Sequence, residues 1–123
     1  MSTRILVAAT LLLAASLAGA SVVEIVWDEA GRFQQVAELE AGDFAEVCGA
    51  LSHAERIHWA FEASAALDFN IHYHVGDEVV YPTKFADTVE RAGELVAPID
   101  QTYCWMWKSG LPSPATVTLR LSH

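Results

Sequence analysis

Two histidines separated by a single residue, His72 and His74, are the most chemically specific feature of this 123-residue chain. They lie in the segment 67–75, LDFNIHYHV, where Phe69, Ile71, Tyr73 and Val75 alternate with Asn70, His72 and His74. Strict alternation marks a strand with one apolar face, so both imidazoles project from the opposite face. Same-face neighbours on a strand stand roughly 6.5–7 Å apart, close enough for two neutral rings to converge on one ion. Copper or zinc suits such nitrogen donors. Two ligands hold a metal weakly, so a third must come from a neighbouring strand. His58 is the leading candidate, with His53 and Met106 after it. Two plainer readings stand beside this one: polar surface groups behind a buried stripe, or a pair that senses pH near ~6.5.

Cys48 and Cys104 are the only cysteines. In an oxidising compartment they are expected to bond to each other, and closing that loop would stabilise the fold by about 4 kcal/mol in the chain-entropy account. The other use is a thiolate pair for a soft metal such as Cu(I), with Met106 as a nearby thioether. The two uses exclude one another. Trp59, Trp105 and Trp107 have the size and spacing of core residues. No nucleophile is set up: Ser52-His53 and Ser122-His123 lack an oriented acid, and Asp77-Glu78 is explained by a solvated turn. The expectation is a binding protein rather than an enzyme.

Residues 1–20 suggest the compartment. Arg4 is their only charge, 5–17 is apolar, and Ala18-Gly19-Ala20 has the small-x-small form of a signal-peptide cleavage site. Leu17-Ala18-Gly19 resembles the start of a lipoprotein box, but Ala20 stands where a lipidated cysteine would be. A secreted or periplasmic protein is expected, with no membrane span after cleavage. The chain carries 16 Asp+Glu against 7 Lys+Arg, a formal charge of −9, which argues against nucleic acid or anionic lipid as partner.

Residues 21–123 read as a single domain built from strands. Segments 21–27 and 33–39, joined by the turn Asp28-Glu29-Ala30-Gly31, predict an N-terminal hairpin. Segment 43–52 carries both helical and strand signals, and its strand neighbours favour strand. Segments 57–62, 67–75 and 78–82 follow, with the Gly76-Asp77 turn between the last two. Residues 84–92 are polar and predict a loop, and Pro98 confines 94–99 to an edge or a strand end. Segment 102–108, TYCWMWK, is a central strand with an aromatic face, and 116–121 closes the domain. About eight short strands of this kind predict an all-β fold, an antiparallel β-sandwich.

Residues 57–121 resemble a Golgi-dynamics (GOLD) domain. The resemblance is carried by LDFNIHYH, the Gly-Asp turn, and the aromatic-cysteine run TYCWMWK followed by a Pro/Ser loop and VTLRL. It implies a jelly-roll-like sandwich used as a binding module, and cargo receptors of that family pair an early cysteine with the one on the aromatic strand. Their coiled coil, membrane span and cytoplasmic tail have no counterpart here, so cargo-receptor function does not carry over. Two expectations result: a non-catalytic module binding copper or zinc through its His-x-His strand, or a protein- or lipid-binding GOLD-like module with no metal site.

Overall fold

The alternating segments become strands, and no helix forms among the residues described, 21–123, in the computed structural model. The expected leader, 1–20, lies outside them. The strands are β1 (Ser21–Glu24), β2 (Arg32–Leu39), β3 (Phe44–Leu51), β4 (Arg56–Val75), β5 (Glu78–Val96), β6 (Gln101–Lys108) and β7 (Ala115–Ser122). They form one curled sheet in the order β1-β3-β6-β4-β7-β2, with β5 paired to β4. Every pairing is antiparallel except β1 with β3, which is parallel.

Several expectations are corrected here. The strands number seven rather than about eight, because segments expected to be separate are fused. Ala63-Ser64-Ala65-Ala66, taken from sequence as a gap, is carried through β4, and the register shifts beside it. Small residues leave the backbone free to bulge without ending the strand. The loop expected at 84–92 lies inside β5. That strand is polar because it is a sheet edge with most of its side chains in water, and its charges guard the open edge. The N-terminal hairpin does not form, since β1 pairs with β3 and β2 with β7. Segment 43–52 is a strand, as β3 shows.

The β4–β5 hairpin is the spine of the molecule. Its turn has Gly76 at φ 59°, a left-handed conformation that glycine adopts without steric cost. One edge of β4 pairs with β5 along its length, while the other is shared: residues 58–63 meet β7 and residues 68–72 meet β6. The irregularity after Glu62 separates these two halves and lets the sheet bend between them. Odd-numbered residues of β4 from Ile57 to Phe61 and from Leu67 to Tyr73 point inward and are buried. Phe61 from the first half packs on Phe69 of the second and on Trp107 of β6, at 4.6 and 5.6 Å between ring centroids. Trp105 and Trp107 are fully buried beside them. These aromatic contacts hold the curl closed and leave the even-numbered side chains of β4, including His58, His72 and His74, on the outer face.

Candidate functional site

On the outer face β3, β6 and β4 lie side by side, and directly opposed residues share a face. Cys48, Cys104 and His72 form one row across the three strands, and Glu46, Met106 and Asn70 form the next. Cys48 and Cys104 are joined in a disulfide, so the soft-metal thiolate pair is not the state described. Tyr81 enters from β5, opposite the register shift between Ile71 and Tyr73, and its ring centroid lies 5.9 Å from that of His72. The Lys84 ammonium lies over the other ring, 4.7 Å from the Tyr81 centroid.

The two histidines differ sharply in environment. His72 is only 5% exposed, enclosed by these neighbours, whereas His74 is exposed near the hairpin turn. The His74 ring stands edge-on to that of His72 at 5.3 Å between centroids. Gln101, at the start of β6, donates to the His74 carbonyl at 2.9 Å and ties down the backbone there.

His72 Nδ1 lies 2.7 Å from Asn70 Oδ1, and its Nε2 lies 3.4 Å from Glu46 Oε1. Oδ1 can only accept, so the Asn70 bond places a proton on Nδ1 and aims Nε2 at the carboxylate. In the neutral ring Nε2 carries a lone pair, and two acceptors then face each other. A cation between them, a proton or a metal, removes that conflict. Burial pushes the His72 imidazole below its ordinary value; the Glu46 carboxylate opposes the shift and His74 adds to it. Burial thus disfavours the charged ring relative to a free imidazole. A tetrahedral ion bonded at about 2.0–2.2 Å to one nitrogen and one oxygen would space them by about 3.4 Å. Asn70 stands where the outer partner of a metal-binding histidine would stand, holding the ring's orientation through Nδ1.

The residues expected from sequence divide into two groups. His72, His74 and Met106 share this face, with Met106 half-buried one row from His72. His58 does not join them. It lies on the same strand as His72, not a preceding one, and near its opposite end, where its Nε2 is 3.5 Å from Glu94 Oε2. His53 sits in the β3–β4 connection, its backbone N–H donating to Asp100. Among the described residues, Glu46, His72 and Cys104 are the set whose ligand atoms all lie within 4.8 Å of one another. Sequence alone does not mark Glu46, because segment 43–52 carries both helical and strand signals and its faces are therefore not fixed. The missed signal is its two-residue spacing from Cys48, which puts both on one face once 44–51 is a strand.

No family model matches the sequence, and no curated protein does. The chain is similar to the solved structure of Aeromonas hydrophila PliG, a periplasmic lysozyme inhibitor of g-type lysozyme. The TM-score is 0.63 and the identity 10%, over 85% of this chain and 96% of that one. Salmonella Typhimurium PliG gives a TM-score of 0.58 at 9% identity, over 83% and 96%. A pre-peptidase C-terminal domain of Bacillus anthracis collagenase gives 0.54 at 11%, over 84% and 94%. At these identities the likeness is one of fold. None of the three is described as a GOLD domain.

Proposed function

We propose that this chain is a secreted or periplasmic, non-catalytic β module that binds copper or zinc on the outer face of its sheet. His72 and Glu46 are the primary ligands, and His74 or Met106 is the third. The observation that carries this reading is the opposition of His72 Nε2 and Glu46 Oε1 across 3.4 Å, with Nδ1 already engaged by Asn70. The Cys48–Cys104 disulfide and the leader-like residues 1–20 support export. With nitrogen and oxygen donors, Cu(II) should bind more tightly than Zn(II). The test is a Cu(II) and Zn(II) titration of the protein beside His72→Ala/His74→Ala. Wild type should bind one equivalent and the double variant should lose it. Equal affinity in both would remove the metal site.

A second reading, a protein- or lipid-binding GOLD-like module without metal, has its own observation. Val75, Val79 and Tyr81 flank the Gly76-Asp77 turn with exposures of 47%, 39% and 46%, an apolar tip open to solvent. PliG is described as a lysozyme inhibitor, so a fold of this kind serves protein recognition elsewhere. Equal metal affinity in the titration above would favour this reading.

A further inference from the structure

The row Cys48, Cys104, His72 runs straight across three hydrogen-bonded strands, with Glu46 on the same face two residues before Cys48. The carboxylate of Glu46, a ring nitrogen of His72 and the sulfur of Cys104 already lie within 4.8 Å of one another. A disulfide sulfur is a poor donor, while a thiolate is among the best ligands for zinc. The bond between Cys48 and Cys104 therefore withholds two ligands from a cluster that holds two more. His72 is 5% and Cys104 9% exposed, so water competes little for the site. Cys48 is half-buried, which leaves an approach for an attacking thiolate.

We propose that the disulfide masks a second, sulfur-rich metal site, and that its reduction creates a zinc centre of Cys48, Cys104, His72 and Glu46. This rests on His72 being a ligand, as in the function proposed above, but it adds a different ion environment and a redox condition. A dithiol reductant supplies two electrons and two protons. The Sγ–Sγ bond breaks, the reductant closes its own disulfide, and Cys48 and Cys104 become thiols. Zinc then displaces both thiol protons to solvent, giving two thiolates, one imidazole and one carboxylate, a tetrahedral set. The strand ladders β3–β6 and β4–β6 keep the four side chains together after the sulfurs part.

Cobalt(II) in place of zinc reports thiolate ligation directly, through a sulfur-to-cobalt charge-transfer band. The oxidised protein, the protein reduced with dithiothreitol and freed of it without air, and Cys48→Ser are each titrated with Co(II), then Zn(II). Circular dichroism checks that each is folded. Cys48→Ser cannot form the disulfide, so it exposes Cys104 to His72 and Glu46 even if the reduced wild type unfolds. The expected result is a charge-transfer band in the reduced protein and in Cys48→Ser. Zinc should bleach the band, and it should be absent from Cys48→Ser/Cys104→Ser. Zinc should bind the reduced protein more tightly than the oxidised one by over an order of magnitude. Folded Cys48→Ser and reduced protein with no such band would overturn the proposal, even if the oxidised protein binds metal. A band on reduction, with no metal bound when oxidised, would support it and remove the oxidised site instead.

Discussion

His72 and His74 have the same residue type, strand and face, yet the structure makes them different groups. His74 is a solvated side chain beside a turn, open to a ligand only from the solvent side. His72 is buried, its orientation set by Asn70 and its free nitrogen turned toward a carboxylate. That difference assigns a role to Asn70 that a solvated asparagine would not have. Asn70→Ala should weaken Cu(II) binding by about 10–100-fold, the usual effect of losing an orienting partner, while leaving thermal unfolding nearly unchanged. His58→Ala should leave affinity unaltered, because that ring faces Glu94 at the far end of β4. Isothermal titration of both variants checks the pair of expectations, and an Asn70→Ala affinity equal to wild type would show that the asparagine orients nothing.

At the level of elements, the β4–β5 hairpin serves both as scaffold and as the carrier of His72, His74 and Tyr81. Its pairing depends on one close approach. Trp59 lies across Gly93 of the opposing strand, and a Cβ at Gly93 would stand 2.6 Å from Cζ2 of the indole. That tryptophan is 5% exposed and stacks with Phe61, and its ring centroid is 5.1 Å from that of Phe69, so it cannot yield without disturbing the aromatic core. Gly93→Ala should therefore cost about 1–3 kcal/mol, read as a lower urea midpoint. Gly110→Ala, where an added Cβ meets nothing within 4 Å, should change stability by less than about 0.5 kcal/mol. Equal midpoints for the two variants would mean that the tryptophan moves aside freely.

For the whole molecule, the buried imidazole links stability to pH. The His72 pKa lies below its reference value of 6.5 in the fold, so below that pH the unfolded chain binds more protons than the folded one. Stability from this group is complete above about pH 6.5 and is lost as pH falls through the folded value. Urea midpoints for wild type and His72→Gln should converge as pH drops from 7.5 to 5, and parallel curves would deny that His72 contributes to acid sensitivity. Alternation was enough to assign the all-β class, the inward faces of β4 and β6 and the strand that carries His72 and His74, because a two-residue period places side chains whatever the topology. The two cysteines were legible as a pair through their compartment. Three other features were not. Ala63 to Ala66 is continuous strand only because β7 and β6 take successive lengths of the same β4 edge. Polar β5 is a strand only because β4 supplies its ladder partner. Glu46 meets His72, and His58 does not, because β6 lies between β3 and β4 and sets their register. Such neighbours are brought together by long-range strand pairing, and local sequence carries no record of which strand will lie beside which.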